Sequence, residues 1–413
     1  MIKNKTDVLI IGAGPAGTIA ASLIHKAGLQ VRVVERMNFP RFVIGESMLP
    51  RCMEVLQEAE LLDAVAAMNF QQKSGAKFRR GDEVADYKFA DQFTAGWQWT
   101  WQVPRAEFDH ALANEVVRKG VNIDFEATVT DIQFNGDKPS FTLVEHKGGS
   151  LEEIEAKFII DASGYGRVIP KVLGFENKSS LDPRRAVFAH VKDVNRLEFD
   201  EPNRITVVVY KPGVWVWMIP FSNGNTSVGF VGSHAFFQKY AGDPKAQFNA
   251  LIQGSPFLKH RFRDASFIFE PRVLESWSSA SDKFYGDGYV LTGNVTEFLD
   301  PIFSSGVMFA AVSSHLASTL LIRKLKGETI DWEKEYTGKL HQGVNTFRAF
   351  VAAWYDGTLE KIFFVKEPDP LIKRQICSVL AGYVWDLENP FVKEPEVALK
   401  RLVKYIEAGK RYQ

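Results

Sequence analysis

Hydrophobic and polar positions change period twice within the first forty residues. Asp7–Ile11 is a short run rich in Val and Ile, the pattern of a strand buried on both faces of a parallel sheet. From Pro15 the apolar positions take helical spacing. Ile19, Ala20, Leu23 and Ile24 share one face, and Gly28 is placed to close the helix. Val31–Val34 then returns to strand and finishes at Glu35, completing a βαβ unit. Further along, Arg105–Lys119 puts Phe108, Leu112 and Val116 on one face and predicts an amphipathic helix capped by Gly120. Gly96–Trp101 carries Trp97, Trp99 and Trp101 at period two, which predicts a strand. Val121–His146 reads as short strands with a turn at Asn135-Gly136. Arg204–Tyr210, Val214–Phe221 and Thr226–Gly232 read as neighbouring antiparallel strands. Ser305–Lys326 predicts a helix that opens on Ser-Ser-Gly, and from about residue 330 helices broken by Pro368, Pro370, Pro390 and Pro395 follow. Neither an internal repeat nor a low-complexity segment is visible.

The first turn of the βαβ unit reads Gly12-Ala13-Gly14-Pro15-Ala16-Gly17, the G-x-G-x-x-G spacing. Gly12 allows the tight turn, Gly14 lets the backbone approach a pyrophosphate, and Gly17 lets helix and strand pack closely. The helix N-terminus offers free N–H groups to phosphate. Glu35, 18 residues after Gly17, can accept hydrogen bonds from ribose hydroxyls. Strand, glycine turn, helix, second strand and terminal acid together predict dinucleotide binding. The spacing alone leaves NAD and FAD open.

Composition narrows the choice. The chain has 413 residues, which predicts two to three domains at about 150 residues each. Hydrophobic residues make up 46% and charged residues 24%, an ordinary globular balance that excludes a disordered or fibrous chain. Fifty basic residues balance fifty acidic ones, which argues against nucleic acid as a partner. Cys52 and Cys377 are the only cysteines, so neither a disulfide framework nor a thiolate metal site is expected, and a reducing cytoplasm fits. The eight histidines lack metal-ligand spacing; His25, His110 and His315 read as cap or core histidines, and no metal is expected. Met1–Ile24 superficially matches a secretory signal, but its glycines and Pro15 sit at nucleotide-binding spacing. With no run of 18 or more apolar residues, a spanning helix is not expected.

Arg41-Phe-Val-Ile-Gly45-Glu46-Ser47-Met-Leu-Pro50, preceded by Phe39-Pro40, resembles the segment after the first βαβ unit in flavin-dependent halogenases. Phe70–Phe78 with Lys73, Trp215-Val-Trp217-Met-Ile219-Pro220, and Asp300-Pro301-Ile-Phe-Ser304-Ser305-Gly306 match the same family, with the W-x-W-x-I-P signature complete. Asp161-Ala-Ser163-Gly164 and Arg105 are similar to positions shared with class A flavoprotein hydroxylases. The resemblance runs from residue 7 to about 310 and implies FAD rather than NAD, on an α/β para-hydroxybenzoate-hydroxylase-like fold. It implies a discontinuous FAD-binding domain from residues 1–66, 105–175 and 283–330. An antiparallel-sheet substrate domain would take 67–104 and 176–282, and a helical C-terminal region 331–413. Gly12, Gly14, Pro15, Ala16, Gly17, Glu35 and Arg36 would hold the ADP half. Glu46, Ser47, Arg105 and Asp161 would lie toward the pyrophosphate, ribityl chain and ring. Gly293, Asn294, Pro301 and Gly306 would lie under the isoalloxazine. The family usually has Gly-Asp where this chain reads Gly293-Asn294, so the side chain there would accept a hydrogen bond without charge.

The same resemblance assigns chemistry. Lys73 would stand between flavin and substrate and present the oxidised halogen to an aromatic ring; a lysine offers three donors and changes pKa readily when desolvated. Read from sequence without the matching neighbours, Lys73 is a solvated surface residue. Trp215 and Trp217, two apart on a strand, share a face and would wall the flavin from the substrate; plain sheet packing gives the same pattern. Ser305 and Gly306 at a helix start would hold halide, although an ordinary helix cap looks alike. Tryptophan-specific relatives carry glutamate where this chain has Phe303, which points to phenols, pyrroles or carrier-bound substrates. Glu107 and Asp109 read as a solvated helix face. The expected activity is thus an FAD-dependent halogenase in which a flavin hydroperoxide oxidises halide. With no second G-x-G-x-x-G, reduced flavin would come from a separate NAD(P)H reductase. The alternatives are a class A hydroxylase, a geranylgeranyl-reductase-like enzyme acting on prenyl double bonds, or a flavin-binding protein without turnover.

Overall fold

The computed structural model describes residues 3–136, 138–178, 182–275 and 277–410. Residues 1 and 2 of the expected N-terminal domain and 411–413 of the C-terminal region lie outside the described residues, as do 137, 179–181 and 276.

The βαβ pattern folds as read. Lys3–Ile11 is a strand, Pro15–Lys26 a helix and Val31–Glu35 the second strand. They belong to a sheet in which Tyr289–Leu291, Leu151–Asp161, Lys3–Ile11, Val31–Glu35 and Asn122–Phe125 lie side by side and parallel. Leu9 and Ile10 are fully buried, as expected for a strand covered on both faces. Ala127–Asn135 and Lys138–His146 add an antiparallel ribbon to the long strand Leu151–Asp161. The crossover helix packs on Ser305–Leu325, the helix beginning at the Ser-Ser-Gly segment. Ser305–Leu325 is long and apolar enough to cross a membrane by length and composition, yet 67% of its most apolar window is buried inside the protein.

A second sheet faces the first across the site. Its order is Ser266–Phe267, Arg185–Lys192, Asn225–Gly232, Val214–Pro220, Thr206–Lys211, Gly75–Arg80 and Glu83–Lys88, with Arg272–Glu275 also pairing Arg185–Lys192. One junction departs from the antiparallel expectation: Thr206–Lys211 runs parallel to Gly75–Arg80, with Val207 opposite Phe78. The two strands come from separate stretches of chain, so no hairpin turn dictates their direction.

Gly96–Trp101 is not the expected strand. Only Thr100–Gln102 pairs, with Gln71–Lys73, while Trp97 and Trp99 lie in a loop. That loop satisfies its backbone through side chains instead of a ladder. Gln92 donates to the Trp97 carbonyl, and Ser378 Oγ accepts from the N–H groups of Phe93 and Thr94. The period-two indoles still touch, Trp97 on Trp99 at 5.4 Å and Trp99 on Trp101 at 5.1 Å, both edge to face. In the C-terminal helices, Pro370 and Pro390 open Pro370–Leu380 and Pro390–Lys393 rather than interrupt a longer helix. A proline in the first turn lacks only an N–H that would have no partner anyway.

Candidate active site

Backbone sterics shape one end of the site. Gly12 has φ +99°, and a Cβ there would lie 2.6 Å from the Ala162 carbonyl oxygen. A Cβ on Gly17 would lie 1.8 Å from the Gly12 oxygen, so helix and turn meet only through glycine. The helix Pro15–Lys26 has Gly14 at its N-cap, no side-chain cap and no acid in its first turn, leaving its N-terminal dipole free for an anion. Glu35 is buried, and its carboxylate accepts from the N–H groups of Ala13 and Met37, each at 2.9 Å. The acid at the strand end therefore also braces the glycine turn.

Two guanidiniums converge beside this turn on one buried carboxylate. Arg105 grips Asp109 in a bidentate pair at 2.8 and 2.9 Å, and Arg41 Nη1 reaches Asp109 Oδ2 at 3.0 Å. Asp109 is 0% exposed, which corrects the solvated-face expectation for that residue; Glu107 is exposed as expected. The helical face misleads because Arg41, the second partner of Asp109, lies 68 positions away. Both arginines line a cleft, Arg41 also lying 4.0 Å from Glu35, and they present guanidinium N–H donors toward it. Arg41 sits in the quoted motif, and no local signal marks its role.

The cleft encloses about 1540 Å³ including its open mouth. Of the expected cofactor residues, Gly12, Gly14, Pro15, Ala16, Glu35, Arg36, Glu46, Ser47 and Arg105 line it, as do Gly293, Asn294, Pro301 and Gly306. Gly17 and Asp161 do not. Asp161 lies behind the wall and accepts from the N–H groups of Ser163 (3.0 Å) and Ile169 (2.7 Å), shaping a turn whose Ala162, Ser163 and Gly164 do line it. Burial raises the Asp161 pKa. Of the expected halide pair, Gly306 lines the cleft and Ser305 is buried beside it. Ser304, held at φ +58° as the N-cap, supplies the hydroxyl-bearing residue at the wall.

Trp215 and Trp217 share a face of their strand, line the cleft and pack at 6.0 Å between ring centroids. Trp217 Nε1 donates to Ser227 Oγ at 3.0 Å. Trp215 Nε1 donates to Tyr355 Oη at 3.1 Å, and Tyr355 donates to Asp300 Oδ2 at 3.0 Å. Tyr355 ends the helix Gly338–Tyr355, a region without any sequence motif, and only the fold brings it here. Burial pushes the Asp300 carboxyl up to about 6.

Lys73 is 3% exposed and does not itself line the cleft. Its Nζ donates to Ser47 Oγ and to the Met48 carbonyl, both at 2.8 Å, and sits 5.4 Å from the Phe89 ring centroid. No carboxylate among the described residues forms an ion pair with it, and burial lowers its pKa to about 7. Ser47, whose oxygen receives the ammonium, is the cleft residue in front of it. A second buried pair escaped sequence reasoning. Glu46 Oε1 approaches His190 Nε2 at 2.6 Å, yet neither His190 Nε2 nor Glu46 Oε2 has a hydrogen-bond partner. His190 carries no motif; its partner is 144 positions away. His25, His110 and His315 are half-buried, with His315 Nε2 2.5 Å from Glu58, and the described residues hold no cluster able to bind a metal.

A glycine turn at an uncapped helix, two arginines and a terminal acid along one cleft form a cradle for an adenine dinucleotide. The family described as FAD binding domain matches residues 5–281. The chain belongs to this family. This flavoprotein is 57% identical to a flavoprotein/dehydrogenase from Cytophaga hutchinsonii, with a TM-score of 0.96 over 98% of this chain and 100% of that one. It is 26% identical to flavin-dependent brominase Bmp2, with a TM-score of 0.84 over 99% of this chain and 100% of that one. It is also 28% identical over 395 residues to the 1H-pyrrole-2-carbonyl-(peptidyl-carrier protein) brominase of Pseudoalteromonas luteoviolacea, covering 93% of each chain. The flavoprotein is an FAD-dependent oxidoreductase. Its residues fit FAD. The turn at Gly12 has no room for a side chain, the two guanidiniums suit a diphosphate, and the unpartnered Glu46 oxygen needs a donor from whatever fills the cleft.

Proposed function

We propose that this flavoprotein halogenates an electron-rich aromatic ring, with Lys73 presenting the oxidised halogen. The observation that supports this most directly is the Lys73 ammonium, buried without a counter-charge and hydrogen-bonded to a residue of the cleft wall. A buried unpaired ammonium destabilises a fold, so its presence calls for a chemical use. Bound FAD, once reduced, would supply two of the four electrons that O₂ accepts, the halide giving up the other two.

The remaining work falls to the chain. Gly12, Gly14 and the helix N-terminus, with Arg41 and Arg105, bind and orient the diphosphate. The N–H groups at Ser305 and Gly306 hold the halide, beside the Ser304 hydroxyl. Trp215 and Trp217 exclude the organic substrate and water from the ring side of the cleft. Lys73, with a pKa near 7, exchanges its Nζ proton at neutral pH: the amine accepts electrophilic halogen and the ammonium donates a hydrogen bond to it. Ser47 fixes the direction of that nitrogen. Phe303 and the similarity to a carrier-linked pyrrole brominase favour a phenol, a pyrrole or a carrier-bound ring as substrate. A separate reductase supplies reduced FAD.

The test combines the protein with chemically reduced FAD, air and bromide and a panel of phenols, pyrroles and indoles, read by mass spectrometry. Bromine incorporation that disappears in Lys73→Ala, with FAD binding retained, supports the reading. Oxygenated products without bromine would replace it with a hydroxylase. Rapid NADPH oxidation by the protein alone would remove the separate reductase.

A further inference from the structure

We propose that His190 is a positioning residue that keeps a transferable proton on Glu46 at the wall of the FAD cleft. The pair would deliver the proton consumed when O₂ is reduced there. The idea rests on the FAD cofactor and not on halogenation. Glu46 is 2% exposed and lines the cleft, and its Oε2 has no hydrogen-bond partner. A buried carboxylate oxygen without a donor is costly, so this oxygen is served by what occupies the cleft. Its other oxygen lies 2.6 Å from His190 Nε2, which itself has no hydrogen-bond partner, so the two groups meet as a close pair that a shared proton would complete. Imidazole is the side chain whose charge changes near neutral pH, which suits it to reload a neighbouring acid.

His190 is shielded on its remaining sides. Phe42, Phe221 and Phe269 pack around the ring at 5.7, 5.2 and 4.7 Å between centroids. The charged groups nearby are Arg272, which stacks on Phe42 and Phe269, and Arg105, which acts on Glu46 electrostatically. An aromatic box that admits one imidazole edge to one carboxylate is a poor packing solution but a good proton conduit. His190 lies on the second sheet and Glu46 on the loop after the first βαβ unit, so the pair joins both walls of the cleft.

The chemistry needs such a conduit whichever product forms. Reduction of O₂ follows FADH⁻ + O₂ + H⁺ → FAD + H₂O₂. With halide it follows FADH⁻ + O₂ + X⁻ + 2H⁺ → FAD + HOX + H₂O. Electrons pass from reduced cofactor to oxygen in both, and each takes up at least one proton at the cleft.

The experiment compares wild type with His190→Gln, His190→Phe and His190→Gly. Reoxidation of the reduced holoprotein by O₂ without halide should slow about tenfold in the Gln and Phe variants, with the FAD dissociation constant changed less than twofold. Imidazole in the buffer should restore the Gly variant. In protein free of FAD, the His190 ring nitrogen shifts in NMR should change in Glu46→Gln. Unchanged reoxidation in both the Gln and Phe variants, absence of imidazole rescue, or ring shifts indifferent to Glu46→Gln would overturn the proposal. If wild type reoxidises normally but brominates nothing, the halogenase reading fails while these readouts still decide the role of His190.

Discussion

Replacing Asp300 by asparagine isolates the effect of burying a carboxyl beside the Trp215 wall. Asp300 sits fully enclosed, with a pKa of about 6 against 3.8 for an ordinary aspartate. The folded state therefore binds this proton more tightly than the unfolded chain does. Stability contributed by the protonated form is present at low pH and is lost as pH rises through 6. A shift of roughly two units corresponds to about 3 kcal/mol in all, of which about 2 kcal/mol is lost between pH 4.5 and 7.5. The amide of Asp300→Asn cannot titrate. It also cannot serve both the Ile302 N–H and Tyr355 Oη as the carboxylate does, so the variant carries a constant penalty at every pH. The expected result is a difference between the two proteins that moves in favour of the variant by about 2 kcal/mol from pH 4.5 to 7.5, measured by urea unfolding. Parallel curves would refute the argument, because they would mean that Asp300 ionises in the fold as readily as in water.

Lys73→Met removes a buried ammonium and should raise stability by about 2 kcal/mol at pH 6. The gain should shrink as pH rises through 7 and vanish only above about 10.5, where lysine in the unfolded chain also loses its proton; thermal melts from pH 6 to 11 check this. Asp109→Ala leaves two cleft guanidiniums without their carboxylate and should cost about 3–5 kcal/mol in urea unfolding, with weaker FAD retention on gel filtration. Gly17→Ala drives a methyl into the Gly12 carbonyl and should cost about 3 kcal/mol and abolish FAD binding by fluorescence titration.

The nucleotide end of the cleft was legible because its signals are local: glycine spacing, helix and acid fall within 24 residues, Gly12 to Glu35. Trp215 and Trp217 were legible for the same reason, since strand period fixes their common face. Asp109 was misread because a helical carboxylate looks solvated until Arg41 arrives from another part of the chain. The available clue was its i,i+4 spacing from Arg105, which matches an ion pair. Tyr355 and His190 had no local clue; Tyr355 meets Trp215 and Asp300, and His190 meets Glu46, only through space. The indole alternation at 97–101 led to a correct contact and a wrong backbone, because edge-to-face stacking tolerates a loop as well as a strand.

The parallel junction between Gly75–Arg80 and Thr206–Lys211 bears on how the protein is made. During synthesis the earlier ribbon emerges with an unpaired edge and must wait for roughly 130 further residues before its neighbour exists. Lys73 leads directly into that waiting ribbon. The groups that enclose its ammonium, Ser47, Met48 and Phe89, are synthesised close to it in the chain, so the surroundings of the amine exist long before the late strand closes the ribbon's edge.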